Sequence, residues 1–425
     1  MRQRVVVTGL GVVSPNGNGL QDFELALRKG RSGLRVQQSM VEAGFACHVA
    51  GVPQGIDELA EAMFDSDELL AMNSGQRHAS VAAVDAWLDA GLERPARDDD
   101  RVDWESGAII GTGIGGMDTI GDRVVPFVDQ KKVRRLGSTT VEQVMASGIS
   151  ARISGQLALG NQVTTNSSAC STGTEAVAMG LERIRNGLAK RMLVGGSEGT
   201  SRYIWAGFDA MRVLCRGFND QPESASRPMS ASAGGFIPAA GGGAILLESL
   251  ESANARGARI YAEVMGAFLN CGGHRGGGSM TAPNPDSVRR CVQGALADAN
   301  VPAEDVGLIN GHLTATAADP NEVDAWAKAL GRGPGELPPI TSTKSMIGHA
   351  LGAAGAIECV ATLLMLSRGF VHPSINCEDV HEKIQPHADS IPHEMRELPN
   401  LRIAMKAGFG FGDVNASVVF RKWND

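Results

Sequence analysis

Cys170 combines a reactive side chain with a local sequence that leaves space around it. It lies in residues 163–175 (VTTNSSACSTGTE), where a polar, strand-like segment turns sharply into a helix and the neighbouring residues are small. The N-terminus of a helix is the positive end of its dipole, which favours a thiolate over a thiol. The pattern predicts a nucleophile whose own backbone N–H forms half of an oxyanion hole. Most cysteines are only small buried apolar residues, and that interpretation is kept for the other six.

Two further segments place histidines in loops that follow predicted strands. His312 lies in residues 308–319 (LINGHLTATAAD), and Lys344 and His349 lie in residues 341–358 (TSTKSMIGHALGAAGAIE). A cysteine with two histidines suits acyl transfer, because imidazoles can donate hydrogen bonds to a developing enolate oxygen. A single histidine is more often a core or surface residue, and spacing alone does not show that these side chains meet.

Glycine alternates with phenylalanine in residues 407–415 (AGFGFGDVN). This pattern predicts a flexible loop with two large apolar side chains. The loop is either a core-packing turn or a gate with exposed backbone amides, since glycine lets the chain approach a ligand closely.

Short β-branched runs alternate with amphipathic segments, and this alternation predicts the elements that position these residues. Strands are expected at residues 4–8, 108–111, 192–194, 243–247, 259–265, 308–310 and 416–420, and helices at 20–29, 78–90, 141–158, 173–186, 285–298, 321–330 and 353–367. Strands buried on both faces with crossover helices give a layered α/β fold. A duplicated half is suspected, with a joint near residues 248–256. Residues 214–240 are expected to form a long ordered loop near a site.

The composition excludes several functional classes. The chain has 425 residues, of which 43% are hydrophobic and 20% charged, and a net charge of −8. These values are typical of a globular protein and unfavourable for binding nucleic acid or an acidic membrane, although a local basic patch can persist. Seven cysteines without a C-x-x-C pair suggest neither a metal knuckle nor a disulfide framework. No signal-peptide core or run long enough to span a bilayer is recognised, so a cytoplasmic location is expected.

Several segments together resemble one protein family over essentially the whole chain. They are VVVTGLGVVSP at the start, GTGIGG at 111–116, VMASGIS at 144–150, SSACSTGTEA at 167–176, FDAMRVL at 208–214, STKSMIGHALGAAGA at 342–356 and GFGFG at 408–412. The chain resembles the β-ketoacyl-acyl-carrier-protein synthases, condensing enzymes of types I and II in the thiolase-like superfamily. No single segment is specific, but the ordered set is.

The resemblance implies a thiolase-like α/β fold, in which two similar halves form a five-layered α-β-α-β-α core, usually in a dimer. The halves would be residues 1–250, carrying the nucleophilic cysteine, and residues 251–425, carrying the catalytic histidines. It also implies a decarboxylative Claisen condensation. Acyl and malonyl thioesters arrive on an acyl carrier protein, whose phosphopantetheine is the only prosthetic group required, so no cofactor and no metal are expected.

The resemblance also assigns roles to individual residues. His312 and His349 would stabilise the enolate, with Lys344 and Glu358 supporting them. The amides of Cys170 and Phe411 would form the oxyanion hole. The remaining matches are gating by Phe409 and Phe411, contact with the phosphopantetheine arm by Thr314 and Thr316, lining of the acyl pocket by Ile114 and Met145, and docking of the acidic carrier by Lys131 and Arg134. A second basic docking site of the family, near residues 71–74, is absent.

The chain departs from the family pattern at three places. His-Gly-Thr-Ser-Thr-Pro is replaced by residues 312–317 (HLTATA), and Gly-Gly-Thr-Asn by residues 412–415 (GDVN). Charged residues usual before Gly235 are replaced by residues 230–234 (SASAG). Asp413 is expected to raise a histidine pKa or to bind a neighbour. These changes suggest a specialised branch, such as a polyketide or polyene pathway, rather than a different reaction.

Four alternatives are weighed, of which a cysteine protease has the residue types but no supporting sequence context. Gly111, Gly113 and Gly116 match a dinucleotide-binding fingerprint formally, but residues 117–130 do not indicate a clean helix leading to an acidic strand end. A non-catalytic chain-length subunit of a heterodimeric synthase is possible, although such subunits characteristically lack the cysteine. A non-decarboxylating thiolase is disfavoured by the Lys344–His349 segment.

Overall fold

A computed structural model describes residues 2–423. The strands are β1 (Val5–Ser14), β2 (Gly17–Asn18), β3 (Leu34–Val36), β4 (Val49–Gly51), β5 (Ser106–Gly111), β6 (Val163–Thr164), β7 (Arg191–Glu198), β8 (Gly241–Ser249), β9 (Ala262–Cys271), β10 (Leu308–Asn310), β11 (Ile340–Thr341), β12 (Phe370–Val371), β13 (Arg396–Glu397), β14 (Ile403–Gly410) and β15 (Val414–Lys422). The helices are α1 (Gly19–Lys29), α2 (Gln38–Glu42), α3 (Ile56–Met63), α4 (Ser66–Leu70), α5 (Ser74–Asp89), α6 (Met117–Thr119), α7 (Val125–Asp129), α8 (Thr140–Val144), α9 (Gly148–Leu157), α10 (Thr172–Arg185), α11 (Arg202–Ala210), α12 (Leu250–Ala255), α13 (Pro285–Ala299), α14 (Asp319–Leu330), α15 (Lys344–Ile347) and α16 (Ala354–Arg368).

The strand order reveals a repeated pattern. The main sheet runs β11-β10-β14-β15-β9-β1-β8-β7-β5-β6. Starting from β1, the pairings to β8 and then β7 are antiparallel, and those to β5 and then β6 are parallel. Starting from β9, the pairings to β15 and β14 are antiparallel, and those to β10 and β11 are parallel. Two sets of five strands therefore share one topology and meet where β1 pairs with β9.

Helices lie on both sides of each strand set. Helices α10 and α16 pack on each other and contact strands of both sets, which makes them the central layer. Helix α5 covers β1 and β8 from outside, and α13 covers β9 and β15. The order α-β-α-β-α confirms the five-layered fold. A division after residue 250 stays a prediction.

Every predicted strand and helix coincides with an observed one, but one predicted helix is divided and β14 was missed beside the site. The helix expected at residues 141–158 is two helices, α8 and α9, which residues 145–147 separate. Strand β14 was not predicted, and the supposed flexible loop at 407–415 is largely its hairpin with β15. Residues 117–129 are helical but interrupted by a π-helical turn at Ile120–Val124, which agrees with the expectation that they do not form a clean helix.

One helical stretch, Leu351–Arg368, is long and apolar enough by length and composition to cross a bilayer, with a mean hydropathy of 1.4. The expectation that no run has this length is therefore wrong. Because 89% of the stretch is buried inside the protein, it is a core helix in this fold.

Candidate active site

Three side chains from distant parts of the sequence meet at the centre of the fold. Cys170 lies in the turn Ala169–Ser171 that precedes α10, His312 follows β10, and His349 follows α15. The Cys170 Sγ atom and a ring nitrogen of each histidine all lie within 4.8 Å of one another. The two imidazole rings are 5.3 Å apart and nearly perpendicular. The predicted grouping of one sulfur and two imidazoles is thus present, and its donor atoms are also of the kind that bind Zn²⁺.

The turn at Cys170 is held by close backbone packing. The Ser171 hydroxyl lies within hydrogen-bond distance of two carbonyl oxygens, those of Gly408 (3.0 Å) and Val414 (2.9 Å), and shares its one proton between them, which fixes the turn against the hairpin of β14 and β15. A Cβ atom added to Gly410 would lie 3.0 Å from the Cys170 nitrogen, tighter than nine in ten real Cβ contacts. Glycine therefore lets the end of β14 pass close to Cys170.

The predicted preference of Cys170 for the thiolate is wrong for the free protein. Burial raises the pKa of Cys170 from 9.0 to about 11, although Lys344 and a hydrogen bond from the Phe411 amide lower it. A rise of this size corresponds to about 3 kcal/mol. A helix dipole at its N-terminus contributes about 0.3–1 kcal/mol. Desolvation therefore outweighs the dipole, and the resting group is a thiol.

Both histidines are neutral and share the same tautomer. Burial, and next the charge of Lys344, hold the pKa of His312 and of His349 well below 6.5. The backbone N–H of Leu351 donates to Nδ1 of His349 at 3.2 Å, and the Lys344 ammonium faces Nδ1 of His312 at 3.5 Å. Since each Nδ1 faces a donor, the proton of each neutral ring lies on Nε2. The site therefore presents two Nε2–H donors suited to an enolate oxygen.

Lys344 and Glu358 form a buried ion pair beside these rings. Each side chain is 1% exposed, and the Lys344 ammonium contacts Oε1 of Glu358. The same ammonium donates to the carbonyl oxygen of His312 at 2.7 Å. Burial lowers the pKa of Lys344, and Glu358 acts in the opposite direction. Both residues thus position the His312 loop.

Two carboxylates that the sequence reasoning missed also hold the His312 loop. Glu322 accepts from the N–H of His312 at 2.6 Å and of Leu313 at 2.7 Å. Asp319 accepts from the N–H of Thr314 and of Ala315. This network keeps Leu313 at φ 25° and Ala315 at φ 64°, conformations that L-residues rarely adopt. Their spacing of three residues at the start of α14 could have indicated that Asp319 and Glu322 bind the preceding loop.

Aromatic rings cover the site from the gate side. Phe409 is buried in β14 with its ring 6.1 Å from that of His312, and Phe411 lies in the following turn, 6.1 Å from Phe208. Phe236, which sequence reasoning also missed, packs edge-on to His349 at 5.3 Å. The Phe411 amide, hydrogen-bonded to Cys170, is the one expected to complete the oxyanion hole.

Family comparisons agree with this geometry. The family model described as "Beta-ketoacyl synthase, N-terminal domain" matches residues 2–253, and "Beta-ketoacyl synthase, C-terminal domain" matches residues 261–378. The chain belongs to the β-ketoacyl synthase family. It is therefore an acyl-transferring condensing enzyme.

Curated relatives extend over the full length of this β-ketoacyl synthase. It is 34% identical to 3-oxoacyl-[acyl-carrier-protein] synthase 1 of Haemophilus influenzae over 423 residues, covering 99% of this chain and 100% of that protein. It is 33% identical to 3-oxoacyl-[acyl-carrier-protein] synthase 2 of Vibrio cholerae over 425 residues, covering 99% of each chain.

Solved structures agree in fold. A β-ketoacyl synthase from Burkholderia phymatum superposes with a TM-score of 0.90 at 30% identity, covering 99% of this chain and 100% of that one. The ishigamide ketosynthase/chain length factor and the ketosynthase of AntDE:AntF, in complex with its acyl-carrier protein, each superpose at 0.88 with 30% identity and full coverage.

The fingerprint glycines of this synthase serve the fold rather than a dinucleotide. The backbone N–H groups of Gly113 and Ile114 donate to the buried carboxylate of Glu198 at 3.0 and 3.3 Å. A pyrophosphate would need such amides free. The structure thus disfavours the dinucleotide-binding alternative.

Asp413 does not act on the histidines as expected. It accepts from the backbone N–H of Asn284 at 2.8 Å and of His274 at 3.2 Å, so it ties residues 272–284 to the gate turn. The expected rise of a histidine pKa is wrong, since both values are lowered. Binding of a neighbouring segment is what Asp413 does.

The predicted substrate and carrier contacts lie around the site and on the surface. Thr314 and Thr316 place their hydroxyl oxygens 3.0 Å apart beside His312. Ile114 and Met145 are each 40% exposed, so their acyl-pocket role stays a prediction. Lys131 and Arg134 are exposed around the turn Val133–Arg135, and neither forms an ion pair among residues 2–423.

Proposed function

We propose that this β-ketoacyl synthase condenses an acyl thioester with malonyl-acyl-carrier protein and releases CO₂ and a 3-oxoacyl-carrier protein two carbons longer. The observation that carries the proposal is the Cys170 sulfur facing two neutral imidazoles, all within 4.8 Å. The nucleophile and the two donors are the groups that acyl transfer and enolate stabilisation require.

The first step is acyl transfer to Cys170. Its sulfur attacks the thioester carbonyl, and the amides of Cys170 and Phe411 stabilise the tetrahedral oxyanion. The carbon–sulfur bond to the carrier then breaks, and the proton of the Cys170 thiol ends on the departing carrier sulfur. Because burial raises the thiol pKa to about 11, the proton must leave as the new bond forms.

The second step is decarboxylation with carbon–carbon bond formation. The malonyl thioester oxygen accepts hydrogen bonds from Nε2–H of His312 and His349. The bond to the carboxylate breaks, its electron pair forms the enolate, and CO₂ leaves. The enolate carbon attacks the acyl-Cys170 carbonyl, the Cys170 sulfur departs, and it takes up one proton from water to replace the one that left with the first carrier. No net redox change occurs, so the proposal includes neither a metal nor a redox cofactor.

Substrate placement follows the same assignment. Thr314 and Thr316 contact the phosphopantetheine arm, and Ile114 and Met145 limit the acyl chain. The carrier docks on Lys131 and Arg134, since carrier proteins are acidic and these side chains are exposed and cationic. A solved ketosynthase in complex with its acyl-carrier protein supports this partnership.

We also propose a cytoplasmic dimer. Exposed apolar side chains cluster in sequence around Met145 and the carrier-docking turn: Val125, Val128, Val133, Val141 and Met145. Such apolar surface favours association of subunits. The dimer pairs identical chains or this chain with a related subunit.

The departures at residues 312–317 and 412–415 support a specialised substrate, such as a polyketide or polyene intermediate. The decisive assay incubates the purified protein with malonyl-carrier protein and a panel of saturated and unsaturated acyl-carrier proteins, read by intact mass. We expect a 3-oxoacyl product two carbons longer, with a preference for unsaturated or oxidised acyl chains, and no product from Cys170→Ala. Preference for plain saturated chains would contradict specialisation.

The alternative of a non-catalytic chain-length subunit is retained because one structural neighbour is a ketosynthase/chain length factor. That alternative predicts no product from this chain alone and a changed product length when it is mixed with an active ketosynthase. Acylation of Cys170, detected by mass on the intact protein, would exclude it.

A further inference from the structure

A second lysine, Lys406, lies buried beside the catalytic ion pair. Its side chain is fully buried, and its ammonium lies 2.8 Å from Oε2 of Glu358. Lys344 contacts the other oxygen of the same carboxylate. Two ammonium groups and one carboxylate therefore share one buried cluster with an excess positive charge. Burying an excess charge is costly, which indicates that the charge has a purpose other than stability.

Lys406 also joins three parts of the site. It lies in β14 opposite Asn310 of β10, in parallel register, and three residues before Phe409. Its ammonium is 3.4 Å from the carbonyl oxygen of Gly311, the residue before His312, and it contacts the carbonyl oxygen of Ala407. One side chain thus links Glu358, the His312 loop and the strand that carries the gate.

The electrostatic surroundings of the histidines agree with this placement. After burial and Lys344, the charge of Lys406 also lowers the pKa of both His312 and His349. The ionisable groups around the cluster are Cys170, Glu322, Lys344, Glu358, Cys359 and His372. Glu322 interacts with both lysines and, when ionised, reduces the excess positive charge. Glu358 offsets one of the two ammonium charges, so the other opposes protonation of the imidazoles and favours an anion between them.

We propose that Lys406 is a positioning residue for condensation, whose ammonium fixes Glu358, the His312 loop and the gate strand together and supplies positive charge to the pocket where the enolate forms. The proposal rests on the condensation proposed above. It assigns Lys406 no direct contact with substrate.

The test compares wild type with Lys406→Met in the full-length protein, with Lys422→Met on the adjacent strand as the control. Acylation of Cys170 and condensation with malonyl-carrier protein are measured separately. We expect condensation kcat to fall on the order of 10- to 100-fold, with acylation and the malonyl-carrier KM within a few-fold. The acid limb of the kcat profile should move to higher pH by about one unit, because imidazoles without this charge protonate more readily.

Restoring the activity of Lys406→Ala with small molecules distinguishes the role of the Lys406 charge from that of its packing. In Lys406→Ala, methylammonium should restore condensation in a saturable way, whereas the neutral formamide should not. An unmoved acid limb in Lys406→Met, or equal rescue by both molecules, would overturn the proposal and leave a packing role.

If Lys406→Met does not fold, Lys406→Gln and Lys406→Arg are compared. Activity and an unmoved acid limb in Lys406→Gln, or loss of folding in both variants, would also overturn the proposal. Failure of the wild type to condense any acyl chain, by contrast, would refute the proposed function and is seen before any variant is made.

Discussion

Glu198 and Glu358 are buried acidic side chains near Cys170 that are stabilised in different ways. Glu198, at the end of β7, accepts from the N–H groups of Gly113, Ile114 and Gly352. Glu358, in α16, lies instead between the ammonium groups of Lys344 and Lys406. Glu198 therefore binds neutral backbone N–H groups, whereas Glu358 binds cationic side chains.

The environment of Glu198 affects its protonation. Burial raises the pKa of Glu198 to about 7, because neutral amides only partly offset desolvation. Glu358 differs in its neighbours, since the Lys344 and Lys406 ammonium groups contact its two oxygens. The proposed reaction would therefore depend on backbone geometry around Glu198 and on charged side chains around Glu358.

The largest expected effect is that of Glu358→Gln. It would leave two buried ammonium groups without a counter-ion, which costs about 3–5 kcal/mol of unfolding free energy. Condensation should also be lost. The free energy is measured by denaturant unfolding.

Glu263→Gln provides the matched control. Glu263 also pairs with two cations, Arg4 at 2.8 Å and Arg421 at 2.5 Å, but these arginines are 51% and 44% exposed. A cost near 1 kcal/mol or less is expected there. Equal costs for the two variants would mean that burial does not distinguish the Glu358 cluster.

Glu198→Gln should have a smaller effect with a distinctive pH dependence. At pH 5 the Glu198 side chain is a neutral acid, and replacing one of its oxygens by an NH₂ group leaves a buried backbone amide without its acceptor, which costs about 1–3 kcal/mol. A folded-state pKa near 7 against an ordinary 4.5 means that wild type loses stability as pH rises through this range, by at most about 3 kcal/mol.

The glutamine variant lacks this loss, so its deficit against wild type should shrink between pH 5 and pH 8. Urea unfolding at both values measures the difference. If the deficit in unfolding free energy grew with pH instead, Glu198 would be ionised and stabilised by its backbone N–H donors.

The contrast also explains which residues the sequence could reveal. Cys170, His312, Lys344 and His349 lie in short motifs with a recognisable order, so their meeting could be predicted. Lys406 could not, because 48 positions separate it from Glu358 and only the packing of α16 against β14 brings them together. Its strand was missed, since glycine and phenylalanine in GFGFG suggested a loop although tertiary pairing stabilises a strand there.

The protonation state of Cys170 could not be predicted from the sequence either. The helix position of Cys170 indicated a thiolate, but the pKa depends on burial, which only the packed structure determines. The layered fold, by contrast, followed from alternating strands and helices, and only one helix break and one strand were misplaced near the site.

Lys131 and Arg134 are exposed, so changing their charge should affect carrier binding and not stability, unlike changes at Glu198 or Glu358. Charge reversal at Lys131 and Arg134 together should raise KM for the carrier substrate about tenfold, because the acidic carrier loses long-range attraction. Unfolding free energy should stay within about 0.5 kcal/mol, since both side chains are exposed.

Salt provides the second measurement for this surface. The wild-type KM should rise with ionic strength, and the doubly reversed variant should lack that rise. Lys328→Glu, on α14, is the control and should leave KM unchanged. An unaltered KM in the double variant would reject the docking surface.

The smallest change in unfolding free energy is expected at Ala315, in the His312 loop, where the backbone is strained and no charge is altered. Ala315 has a φ of 64° and is fully buried, with its N–H bonded to Asp319 at 3.1 Å. Ala315→Gly should stabilise the fold by about 0.5 kcal/mol, because glycine adopts this conformation without a Cβ clash and its entropy cost offsets only part of the gain. Ala327→Gly, within α14, should instead destabilise by about 1 kcal/mol. If Ala315→Gly destabilised the fold as much as Ala327→Gly, the backbone at Ala315 would not be strained. The contrast between the surroundings of Glu198 and Glu358 would then rest on charge alone.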